Sequence, residues 1–180
     1  MRTSKLLIVT FAAAALTAGC STEPQDQPAR SQLNDDAKLS IEQMEDLDPS
    51  FKTFLDQADG YVVFPTVGKG GFIAGGAFGR GEVFERGKFI GYSEITQATV
   101  GAQIGGQSYI EVIAFERPWS LERFKEGGWS LQANASAIAL TAGAAAVTRY
   151  TDGVAVFIAP QGGLMAEASV GGQNFSFEPQ

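Results

Sequence analysis

The chain has no histidine and one cysteine in 180 residues, and those two scarcities exclude much of the chemistry a small protein performs. Without imidazole there is no general base of the commonest kind and no histidine zinc ligand, and one thiol closes no disulfide within the chain. Nucleophilic catalysis by a Ser–His or Cys–His couple is excluded with them. Positive charge is also short: 13 Lys and Arg face 20 Asp and Glu, a formal charge of −7, which opposes binding to nucleic acid or to an anionic bilayer by the chain as a whole. Phosphate loops are missing too, since Gly68-Lys69 is followed by Gly70 and no GxGxxG links a strand to a helix. The expectation is a non-enzymatic protein with no cofactor, no metal and no nucleic-acid partner.

Long apolar runs are absent as well. The longest, Leu6 to Leu16 broken only by Thr10, is too short for the roughly 20 residues of a membrane span. With Arg2 and Lys5 before it and Thr17-Ala18-Gly19 after it, the run has the layout of a secretory signal. The small residues lead directly into Cys20, and the site resembles the lipobox of bacterial lipoproteins, with Thr17 standing where leucine is commonest. The resemblance implies that residues 1–19 are removed and that Cys20 becomes the lipid-carrying N-terminus, so that the membrane is a partner through the anchor. Loss of Arg2 and Lys5 takes the formal charge to −9. Ser21 follows the anchor rather than aspartate, so the expected location is the cell envelope, facing the periplasm from the outer membrane.

Composition then divides the mature chain. Residues 20–32 hold Pro24, Pro28 and mostly polar side chains, the signature of a flexible tether. Residues 33–180 form one domain. From Leu33 to Asp59 the apolar residues Leu39, Ile41, Met44, Leu47, Phe51, Phe54, Leu55 and Ala58 recur at helical spacing, with Asp48-Pro49-Ser50 opening a second helix. Eight acidic and two basic residues make the exposed face of this region negative.

Beyond Gly60 the pattern changes to short strands. Tyr61 to Phe64 is a strand ended by Pro65, Gly71 to Gly79 is another, and Val83-Phe84 and Phe89-Ile90 flank Arg86-Gly87-Lys88 as a hairpin. A second hairpin is expected at Gly105 to Ser108, between Val100–Ile104 and Tyr109–Phe115. Trp119 to Lys125 reads as a short helix with Ser120 as N-cap, and Trp119, Trp129, Arg117, Arg123 and Lys125 compose either an interfacial belt or a helix anchored on the sheet. Leu131 to Ala137 alternates like a strand, Val154 to Ala159 reads as a central buried strand, and Leu164 to Val170 closes the sheet with Phe175 and Phe177 at its edge. Residues 135–147 are open between helix and strand. Glu111 stands in an apolar strand, either paired with Arg80 or Arg149 or facing water. Glycines at 68, 70, 71, 75, 76, 79, 81, 101, 105 and 106 are too many for flat strands. The fold class expected is therefore α+β and mainly β: a strongly curved or barrel-like antiparallel sheet with an N-terminal helical region and one short additional helix.

The segments Gly60-Tyr61-Val62-Val63-Phe64-Pro65, Gly70-Gly71-Phe72, Gly75-Gly76, Gly79-Arg80-Gly81 and Val100 to Ser108 resemble, in order and spacing, the motifs of the SYLF domain, a lipid-binding module. The resemblance covers roughly residues 33 to 172. Gly162-Gly163-Leu164-Met165-Ala166 resembles the family's closing segment, although Gln161 stands where a basic residue is frequent. It implies a non-catalytic domain that binds lipid. In the family that binding is associated with a basic N-terminal amphipathic segment, which is acidic here. The candidate contacts to an anionic lipid or other amphipathic ligand are accordingly Lys69, Arg80, Arg86 and Lys88, in a stretch of net charge +2. Contact with an envelope protein is the alternative role.

Overall fold

The computed structural model describes residues 22–71, 74–100, 107–131, 137–162 and 172–180. Helix α1 (Gln27–Leu47) starts where Asp26 accepts a hydrogen bond from the Ala29 amide at 2.8 Å, with Pro28 in its first turn, a capping arrangement that suits a helix start. It therefore begins before Leu33. The stretch expected to be a flexible tether is ordered from Thr22 onward: Thr22 Oγ1 lies 2.9 Å from Ser176 Oγ, the Glu23 amide donates to Glu178 at 2.8 Å, and Arg30 pairs with Glu23 at 3.1 Å. Polar composition suggested disorder, but the Asp-x-Pro cap nucleates the helix and the residues before it find polar partners on the last strand.

Asp48 closes α1 and organises the next turn of chain. Its carboxylate accepts from the Ser50 amide and hydroxyl, at 3.0 and 2.6 Å, and from the Ala145 amide at 2.7 Å. It thus ties α2 (Ser50–Gln57) to the short α4 (Ala144–Val147). The region 135–147 is both of the alternatives left open, with strand β6 at Ile138–Ala139 and helix α4 after it; residues 132–136 lie outside the described residues, and with them most of the expected strand from Leu131 to Ala137.

Strands β1 (Gly60–Gly71), β2 (Ala74–Glu85), β3 (Lys88–Val100), β4 (Gln107–Phe115), β5 (Trp129–Ser130), β7 (Val154–Gly162) and β8 (Gln173–Pro179) join β6 in one sheet of order β5-β8-β3-β2-β1-β4-β7-β6. All pairs are antiparallel except β6 with β7. Strand β1 does not stop at Pro65. It passes through with a register shift against both neighbours at that point, which is how a residue lacking an N–H is accommodated inside a sheet. The β2–β3 hairpin turns at Arg86 and Gly87, with φ of 49° and 75°, the left-handed pair that a two-residue turn requires.

The second expected hairpin falls largely outside the described residues, but the strand it would end in has other partners. Its second arm, Tyr109 to Phe115, pairs with β1 on one side and β7 on the other; Gly101 to Gly106, the rest of the first arm and the start of the turn, lie outside the described residues. Helix α3 runs from Pro118 to Lys125 with Arg117, not Ser120, as N-cap. Ser120 sits three residues in and reaches back, its hydroxyl donating to the Arg117 carbonyl at 2.8 Å. Val154–Ala159 forms the buried centre of β7 as expected. Phe175 is in the core, on a strand flanked by β3 and β5. The expected strand Leu164 to Val170 lies outside the described residues.

Cross-sheet contacts establish the curl. In a flat sheet β8 and β4, four strands apart, would be about 19 Å from each other, yet Gln173 of β8 donates to Glu111 of β4 at 2.9 Å. Phe64 of β1 and Phe175 of β8 likewise bring their rings to 5.8 Å. The face holding these residues is concave, and it packs Val62, Val67, Val83, Ile95, Ile113 and Val156 around Leu121 and Phe124 of α3. The other face buries Val63, Val112, Ala114, Ala155 and Phe157 under Ala37 and Met44 of α1 and Phe51 and Leu55 of α2. The fold is α+β: a curled half-barrel with helices on its outside and one short helix at its inner core.

Candidate functional site

The half-barrel has a seam. Its edge strands, β5 and β6, are eight residues apart in sequence from Ser130 to Ile138, a length that spans at most about 29 Å fully extended. Along this seam runs a groove of about 670 Å³, within the range of about 300–1,000 Å³ in which small-molecule sites fall. Trp129, Leu131, Ile138, Val154 and Val156 supply its apolar lining. Arg123, Glu126, Arg149 and Asp152, all exposed, supply charge along it. Arg123 lies over the ring of Trp119, 5.4 Å from its centroid, and Arg149 donates to the Thr148 carbonyl at 3.0 Å.

Trp129 connects this groove to the core. Its ring lies 5.2 Å from Phe175 and 5.6 Å from Phe124, so a ligand along the seam would touch a side chain that also belongs to the aromatic interior. Trp119 is half exposed and stacks with Arg123, while Lys125 is held by Glu122 at 2.7 Å and Glu85 at 3.7 Å. Of the interfacial belt considered from sequence, Arg123 and Trp129 therefore reach the groove.

Inside the barrel, Glu111 is fully buried and neither pairs with Arg80 or Arg149 nor faces water. Its Oε2 accepts from Gln173 Nε2, which also lies 3.4 Å from the Tyr109 hydroxyl. Glu111 Oε1 and Gln173 Oε1 have no hydrogen-bond partner among the described residues. Burial pushes the Glu111 carboxyl up to about 8, with the Gln173 bond opposing part of that rise. Burial beside Glu111 also raises the Tyr109 phenol.

The four candidate cations do not converge. Lys69 pairs in register with Ala77 of the concave face. Arg80 points to the opposite face, where it meets Glu94 at 3.1 Å and overlies Phe78. Arg86 is in the β2–β3 turn, bound to Asp59 at 3.2 Å, and Lys88 faces Glu85 across the hairpin. Nine residues of strand, about 30 Å, separate that turn from the register partner of Lys69. The groove charges come instead from around α3 and β7. Arg149 and Asp152 were not legible as site residues, because they precede β7 on a turn whose position beside α3 is set by tertiary packing.

The described residues thus form a concave sheet with a groove of mixed polar and apolar lining beside its edge strands. No protein-family model matches the chain. It is 28% identical over 149 residues to Beta cell expansion factor A of Aeromonas veronii, in an alignment that covers 82% of this chain and 56% of that protein. The chain therefore spans little more than half the length of that relative.

Proposed function

We propose that the chain is a non-catalytic bacterial lipoprotein, anchored through Cys20 and facing the periplasm from the outer membrane, whose domain binds a lipid or other amphipathic ligand in the seam groove. The groove carries this reading: an apolar floor next to charged, solvent-facing side chains is what a molecule with a chain and a head requires. The signal-like N-terminus, the SYLF-like motifs and the similarity to Beta cell expansion factor A support it. If Cys20 is lipidated, the anchor is short. One residue, Ser21, lies between it and Thr22, two residue steps or at most about 7 Å, and Thr22 is docked on β8.

A titration of the purified chain with a palmitoyl lysophospholipid below its micellar concentration tests the groove. Thr151 is exposed and lines it, so Thr151→Phe is expected to leave the unfolding midpoint unchanged and to weaken binding about tenfold or more. Equal binding by parent and variant would place the ligand elsewhere. Cys20→Ser is expected to release the protein from the membrane fraction. The second reading, an envelope protein contact, rests on Leu39 and Leu47, exposed on α1 among Asp35, Asp36, Glu42 and Asp46; a parent that binds no amphiphile but is crosslinked through Leu39 to an envelope protein would favour it.

A further inference from the structure

The charge along the groove is of both signs. Arg123 and Glu126 come from the end of α3, Arg149 and Asp152 from the approach to β7. Elsewhere Arg30, Arg80 and Arg86 each hold a carboxylate at 3.1–3.2 Å. Among the described residues the ion pairs include none of the four groove charges. Arg123 spends one face on Trp119 and Arg149 one donor on a neighbouring carbonyl, which leaves guanidinium N–H groups of both facing solvent. Two guanidiniums suit a phosphate. Two carboxylates beside them would repel the same phosphate unless the ligand also brings a cation.

We infer that the groove takes a zwitterionic amphiphile whose head joins a phosphate diester to a primary ammonium, with the phosphate on Arg123 and Arg149 and the ammonium on Glu126 and Asp152. The inference rests on the groove being the ligand site, and it names the head. The groove volume of about 670 Å³ is that of a small-molecule site, and the head is what its charges discriminate. A purely anionic head leaves Glu126 and Asp152 opposed, and a purely cationic one leaves the arginines opposed.

Three probes with the same palmitoyl chain separate the possibilities: lysophosphatidylethanolamine, lysophosphatidate and palmitate, titrated calorimetrically below their micellar concentrations at low salt. The parent chain is expected to bind the ethanolamine lipid about tenfold more tightly than lysophosphatidate, the difference one charge-assisted contact makes. The double variant Glu126→Gln, Asp152→Asn should reverse that order, asparagine being tolerated at the φ of 52° that Asp152 adopts. Arg123→Gln with Arg149→Gln should weaken both phospholipids. A parent that binds all three probes equally, or a carboxylate variant that keeps the parent's preference, overturns the head assignment and leaves the groove as a chain site. No binding of any probe overturns the groove itself.

Discussion

Replacing Glu111 by glutamine is expected to leave stability unchanged near pH 4 and to raise it by on the order of 4 kcal/mol at pH 8 and above. The folded chain holds the Glu111 proton up to about pH 8, whereas the unfolded chain releases it near the ordinary value of 4.5. Between those limits unfolding releases a proton, so this group makes stability fall as pH rises, and the full penalty applies above the folded value. Glutamine has no such penalty. Urea unfolding of parent and variant from pH 4 to 9 reads the difference directly; curves that stay parallel would mean that Glu111 ionises in the folded chain as it does in water.

The second large effect is steric. A Cβ at Gly81 would lie 2.7 Å from Phe64 Cδ1 and collide with the Val63 carbonyl, backbone that is fixed by the pairing of Val63 with Glu82. Gly81→Val is expected to cost at least the upper end of the ~1–3 kcal/mol typical of overpacking. At Gly76, by contrast, the nearest atom is the Gln97 carbonyl at 3.1 Å, and valine there should cost clearly less. Unfolding midpoints of the two variants decide between a close approach confined to the inner face and a sheet that needs glycine throughout, since equal losses would contradict the first.

These two residues also mark what was legible in the sequence. The abundance of glycine pointed to a curved sheet, and the curl is real. Which glycine matters was not readable, because Gly79 and Gly81 face the Pro65 irregularity only through the β1–β2 register. Glu111 was visible as a carboxylate among apolar neighbours, but its partner is Gln173, 62 residues away, and an amide carries no charge pattern to announce it. The helical region, the Arg86-Gly87 hairpin and the buried β7 follow from local periodicity and turn chemistry, and they stand as expected. Tyr109 to Phe115 pair with β1 and β7 and not with an adjacent hairpin arm, because turn residues signal a change of direction and not which strand lies alongside. The basic stretch from Lys69 to Lys88 reads as one patch for a related reason: sequence proximity hides that Lys69 and Arg80 lie on opposite faces and that Arg86 turns away to Asp59. Of the groove, Trp129 and Arg123 stand out in the sequence, but not the packing that brings them beside Arg149 and Asp152.

Native mass spectrometry of the chain isolated from its own membranes tests the proposed role most directly. The seam groove predicts one noncovalently held lipid per chain, in addition to any mass attached at Cys20, and its loss from the Thr151→Phe variant prepared in the same way. A parent chain that carries no such lipid, or a variant that retains it to the same extent, would contradict ligand binding at the seam.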